Sequence, residues 1–148
     1  MVHIEVQYHS AETPLPTKKI LQKWVNTVMV NPKSDMEITL RIVDKEESYA
    51  LNFQFRGKDK PTNVLSFPYD PIPELPAHIV GDIVLCAPVI KEEAAQQQKA
   101  LEAHWAHMVI HGCLHLLGYD HETSEQAGVM EPMEITLLNT LGFANPYL

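Results

Sequence analysis

Cysteine is scarce in this sequence: Cys86 and Cys113 are the only two in 148 residues. A disulfide-stapled fold needs more of them in a shorter chain, so both read as reduced core thiols. Long apolar runs are missing as well, since no stretch approaches the roughly 18 residues that would cross a bilayer. The opening MVHIEVQYHSAE lacks the basic-then-apolar layout of a signal peptide. Both absences point to the cytoplasm and away from a membrane partner. Basic residues are also in short supply. The net charge is −8, the reverse of the usual nucleic-acid footprint. The shortage is uneven: residues 1–74 hold nine Lys/Arg against ten Asp/Glu, and residues 75–148 hold two against nine. A polyanion would have to be met by the first half of the chain, or by a metal. No repeat, low-complexity tract or linker divides the sequence, and its length suits a single domain over 1–148.

What is present is strong periodicity. Val2, Ile4, Val6 and Tyr8 alternate with polar residues, as do Met36, Ile38, Leu40 and Ile42, so 2–8 and 36–43 read as half-buried strands. Ile20, Leu21, Trp24, Val25 and Val28 recur at helical spacing over 17–30. Asp44 with Glu47 is a capping-box pattern and predicts a short helix to about Phe53. VLSF (64–67) and GDIVLC (81–86) read as two further strands. They are joined by a loop rich in proline (Pro68, Pro71, Pro73 and Pro76), which no crossover helix would tolerate. Pro88 opens a helix through EEAAQQQ, a long helix runs from about Ala100 to Leu117, and a last one is capped by Thr123 or Ser124 and ends at Gly142. The expected fold is α/β (α+β): one domain with about five helices and a small four-stranded mixed sheet. Its early strands are parallel, and one pairing is antiparallel.

The segment HGCLHLLGYDH at 111–121 carries the chemistry. His111 and His115 are four apart on a helix, so both imidazoles leave one face, a turn apart. Gly118 suits the left-handed residue that ends a helix, and three residues later His121 is brought back to the same point. Three imidazoles and one open position are what a catalytic zinc site uses, with water in the fourth place. Cys113 leaves the helix about 200° from His111 and makes a poor fourth ligand. A rival pairing, His107 with His111, has the same spacing but no turn-borne third ligand, and His104 lies on the same stripe. The spacing matches the metzincin pattern H-E-x-x-H-x-x-G-x-x-H, giving a metzincin-like active-site helix, but Gly112 stands where that pattern has its general-base Glu. Glu122 neighbours a ligand, with nothing in the sequence to set it over a substrate. Imidazole also suits nickel, copper and iron, so the expectation is one Zn2+ per chain with other divalent transition metals as alternatives.

HGCLHLLGYDH resembles the signature of the YbeY family, bacterial rRNA maturation factors regarded as metal-dependent endoribonucleases. RGKDKPTNVLSFP (56–68) resembles that family's second motif and GDIVLC (81–86) its third. The resemblance implies zinc at His111, His115 and His121 and a catalytic role for Arg56. It further implies single-strand RNA cleavage in maturing the 3′ end of small-subunit rRNA and in ribosome quality control. The implied partners are ribosomal RNA and the small ribosomal subunit, with ribosome-associated proteins beside them. Read without the resemblance, Arg56 is a solvated charge or a structural salt bridge at the end of a short helix, before a loop with Lys58 and Lys60, though its planar fork suits phosphate oxygens. Asp82, beside Gly81, reads equally as a strand-start turn. Two other functions stay open at this point: a metal-dependent hydrolase of another bond, such as a peptidase, and a non-catalytic ribosome-assembly factor with a structural metal. Nothing in the sequence specifies an oligomeric state.

Overall fold

Alternation of period two builds the sheet. The computed structural model describes residues 1–30, 35–69 and 79–148. Within them β1 (Val2–His9), β2 (Met36–Val43), β3 (Val64–Pro68) and β4 (Ile79–Cys86) lie in the order β1-β2-β4-β3. β1 and β2 pair in parallel, as do β2 and β4, whereas β3 pairs antiparallel to β4. The mixed sheet expected from the sequence is therefore the one found. Helix α1 (Lys18–Val28) makes the crossover that a parallel β1–β2 pair requires, and α2 (Lys45–Arg56) follows β2. Among the described residues β3 is an edge strand, hydrogen-bonded to β4 alone.

The two faces of the sheet are unequally covered. Val2, Ile4, Ile38, Leu40, Ile42, Ile83 and Leu85 point into the larger core, beneath α1 and α4 (Leu101–Leu116). Val43, Leu65, Val84 and Cys86 form a smaller cluster on the other face, against Leu51 of α2 and Val89 of α3 (Ala87–Gln96). Eleven of the 16 residues of α4 are buried, which makes it the central helix rather than an amphipathic cover. Gly112 lets it lie flush on the sheet. A Cβ there would sit 2.8 Å from Cγ2 of Ile83 and 3.3 Å from Oγ of Ser66, and the Ser66 hydroxyl donates to the Gly112 carbonyl at 2.9 Å.

Several expectations need correction. Helix α1 stops at Val28, short of residue 30, α2 runs past Phe53 to Arg56, and β4 starts two residues early, at Ile79. Asp44 does precede α2, but its side chain makes no cap. Its carboxylate instead accepts from the Ser10 hydroxyl and from the Ala11 N–H at 3.1 Å. Glu47 is taken by Arg41, with Nε to Oε2 at 2.5 Å and Nη2 to Oε1 at 2.9 Å. A two-pronged charge-assisted bond outcompetes a backbone N–H, so the expected capping box is absent there. The real one opens α5 (Ser124–Thr140): Thr123 accepts from the Gln126 N–H, and its own N–H donates to Gln126 Oε1, both at 3.1 Å. Pro71, Pro73 and Pro76 lie outside the described residues. Among the described residues no helix is long and apolar enough to cross a membrane.

Candidate metal centre

Helix α4 presents His111 and His115 on one face, and their Nε2 atoms are 3.1 Å apart. Beyond Leu116 the chain turns through Gly118, whose φ of +100° would strain any other residue. The reversal is held by the Gly118 N–H on the His115 carbonyl at 3.0 Å and the Tyr119 N–H on the Leu114 carbonyl at 3.1 Å. It returns His121 to the pair, with ring centroids 4.8 Å from His111 and 5.3 Å from His115. One nitrogen from each of the three lies within 4.8 Å of the others. His111 and His115 are half-buried and His121 is exposed, so the trio opens to solvent on one side.

Behind His111 stands Glu134, a carboxylate the sequence reading passed over. It is 1% exposed on α5, and its Oε2 accepts from Nε2 of His107 at 2.7 Å and from Nδ1 of His111 at 3.0 Å. The Tyr147 hydroxyl donates to its other oxygen at 2.6 Å. Burial alone would raise this carboxyl, but the hydrogen bonds from His107, His111 and Tyr147 overcome it and hold it down at about 2. An ionised Glu134 keeps a proton on Nδ1 of His111. That tautomer leaves the Nε2 lone pair aimed at the space shared with His115 and His121. Burial also lowers His107 and His115, disfavouring the charged form of both rings. The signal for Glu134 was there in the sequence: a carboxylate midway between Met130 and Leu138, on the stripe that α5 buries.

The donor set fits a zinc-class ion. Two imidazoles on one tetrahedral ion at 2.0–2.1 Å have nitrogens about 3.4 Å apart, close to the 3.1 Å between His111 and His115. Cys113 takes no part: it is fully buried, and burial pushes its thiol up to about 12. The rival His107 does meet His111 around Glu134, and those three are also close enough for an ion. Distances of 2.7 and 3.0 Å to a carboxylate are those of hydrogen bonds, which bind both ring protons there. His104 faces elsewhere, bonded to Glu93 at 2.9 Å.

The trio opens into a cleft of about 860 Å³ that runs along β3. His111, His115 and His121 line it from the α4 side, and Phe55 and Arg56 at the end of α2 line it from the other. Among the described residues the Arg56 guanidinium has no hydrogen bond or ion pair. Lys58 and Lys60 are exposed in the following turn. Glu122 lines the cleft as well, a placement the sequence did not supply. Asp82 does not line it and accepts from the Tyr69 hydroxyl at 2.5 Å.

Residues 3–142 match the sequence model of a family described as Endoribonuclease YbeY. Among solved structures, the chain is similar to the solution structure of TM1509 from Thermotoga maritima. The two are 26% identical with a TM-score of 0.59, over 95% of this chain and 91% of that one.

Proposed function

This chain belongs to the YbeY family of endoribonucleases, and we propose that it cleaves single-stranded RNA with a zinc ion held by His111, His115 and His121. Its role lies in rRNA processing. In finer terms we propose 3′-end maturation of small-subunit rRNA and ribosome quality control, carried out in the cytoplasm by one domain over 1–148 in contact with the small subunit.

One observation carries this reading: three converging imidazoles and an unengaged guanidinium share one cleft. A divalent ion bound by the trio would supply Lewis acidity at a phosphoryl oxygen. Arg56 offers two parallel N–H donors to phosphate oxygens and stabilises charge that develops on them. Glu134 holds the proton on Nδ1 of His111, which orients that ring. Gly112 cannot act as a base, and the packing of α4 on Ile83 leaves no room for a carboxylate in its place. That is the argument against a peptidase.

The test is metal analysis and single-turnover cleavage on one preparation, before and after chelation. We expect one zinc-class ion per chain and RNA cleavage that disappears on chelation and in His115→Ala, with casein left intact. Metal-dependent casein cleavage by a fully loaded protein that spares RNA would overturn the reading.

A further inference from the structure

We propose that Phe55, backed by Phe67, is a stacking site for an unpaired nucleobase of the RNA strand whose phosphate Arg56 receives. This rests on the endoribonuclease reading above and deepens it. Phe55 lines the cleft that holds the three histidines, yet it leaves 57% of its surface in water. Its ring meets Phe67 edge to face, with centroids 5.1 Å apart and planes at 67°. Phe67 in turn is anchored in the smaller core cluster. An apolar ring held from behind and open in front offers a π-face, and every base has one to match.

The ring is also held in place. Ser48 and Asn52 are buried polar residues of α2, each 1% exposed. The Ser48 hydroxyl donates to the Thr62 carbonyl at 2.8 Å and accepts from the Thr62 N–H at 2.9 Å. Asn52 Nδ2 donates to the Lys60 carbonyl at 2.8 Å. These bonds pin the 57–63 turn to the helix, so the backbone that carries Phe55 and Arg56 keeps a set position beside β3. The second exposed aromatic pair, Tyr49 stacked on Phe53 at 6.2 Å, does not line the cleft and is not part of this site.

The charge balance favours stacking as a source of affinity. A protein of net charge −8 with Arg56, Lys58 and Lys60 as its cations near the cleft gains little from counterion release. For three contacts the log–log salt slope is about −2 on a single strand. Stacking supplies affinity without basic residues, and it requires a base already free of a duplex. The same ring therefore selects single strands and tolerates any sequence.

The experiment uses the metal-loaded protein, a short single-stranded RNA carrying one 2-aminopurine, and the variants Phe55→Ala, Phe55→Leu and Phe55→Trp. Half-saturating protein concentration in single-turnover cleavage, 2-aminopurine quenching, metal content and Tm are read together. Loss of one stacked base should raise the half-saturating concentration by roughly 5- to 150-fold. Phe55→Ala and Phe55→Leu should both show this and lose the quenching, with metal content unchanged, and Phe55→Trp should restore both. Leucine keeps apolar volume without a π-face, so Phe55→Leu binding as wild type would overturn the proposal even if Phe55→Ala proves unstable. Weakened binding to isolated small ribosomal subunits with unchanged affinity for the RNA would also overturn it, and would mark the ring as a protein dock. A loaded wild type that neither binds nor cleaves RNA would sink the endoribonuclease reading first and this proposal with it.

Discussion

The two walls of the cleft are built on opposite principles. The α4 wall is buried and bonded: His111 rests on Glu134, Glu134 also takes His107 and Tyr147, and α4 itself lies within the larger core. The α2 wall is exposed and unengaged, with Phe55 in water and the Arg56 guanidinium free of partners among the described residues. A metal tolerates little error in ligand position, and the wall that would hold one is the braced one. A group that must meet a substrate loses its use once a protein partner claims it. The contrast predicts that damage to one wall removes metal and that damage to the other removes RNA binding or turnover with the metal retained.

The largest effect belongs to the ligands. His115→Ala or His121→Ala should take metal content from one ion per chain to near zero and cleavage to background. Far-ultraviolet dichroism should be unchanged, and Tm should drop modestly, since His121 is exposed and His115 half-buried. Collapse of the fold in both variants would mean the metal is structural, and the contrast between walls would fail.

Next comes Arg56→Ala. Removing one donor to developing charge typically slows turnover by about 10² or more. Arg56→Lys should recover part of it, because an ammonium lacks the planar fork. Metal content and Tm should stay at wild-type values. A variant that partly loses zinc or unfolds, while its folded and zinc-loaded remainder cleaves RNA normally, would move Arg56 to the structural side of the comparison.

Glu134→Gln should affect the metal without touching it. An amide can accept from only one oxygen and carries no charge to hold the Nδ1 proton of His111. Loss of such a supporting group typically weakens metal affinity by about 10- to 100-fold. The midpoint of a zinc titration should shift by that amount, with cleavage recovered at saturating zinc. A lower Tm with an unmoved midpoint would make Glu134 a packing residue only.

The walls also differ in how far they could be read from sequence. The three histidines proposed as ligands obey a local rule, four residues on a helix and then a glycine turn, so their convergence was legible in HGCLHLLGYDH by itself. Glu134 is 23 residues from His111, and only the packing of α5 on α4 joins them; a carboxylate among Met130, Met133 and Leu138 was the available clue. Arg56 looked like any surface arginine, because freedom from partners is a tertiary property, and only the motif resemblance singled it out. Strand alternation carried the sheet reliably, since its period is local. The Asp44–Glu47 capping pattern misled because Ser10 and Arg41, both remote from α2 in sequence or element, took the two carboxylates. Phe55 escaped notice because an aromatic at the end of a helix reads as core until its exposure is known.

The smallest effect concerns what anchors the α2 wall. Helix α2 rests on the smaller core cluster, on the Ser48 and Asn52 bonds, and on the Glu47–Arg41 pair near its start. The hydrogen bond from Arg41, aided by the charges of Arg41 and of His9 on β1, outweighs desolvation and lowers the Glu47 carboxyl. A depressed carboxyl contributes stability that is present above its unfolded pKa, near 4.3, and that is lost as pH falls through the folded value. Wild type should therefore exceed Glu47→Gln in Tm at pH 7, by a few degrees at most because the pair is partly exposed. That gap should narrow as pH drops below the ordinary carboxylate range. Comparing the two proteins at each pH cancels the other carboxylates that titrate in the same window, Glu93 among them. If loosening α2 also matters to the cleft, Glu47→Gln should weaken RNA affinity slightly while the zinc midpoint holds still, because the anchor serves only the wall that carries Arg56. A gap that persists unchanged to pH 3 would show that the contact is held by packing rather than charge. A shifted zinc midpoint would show that the two walls are coupled through the sheet.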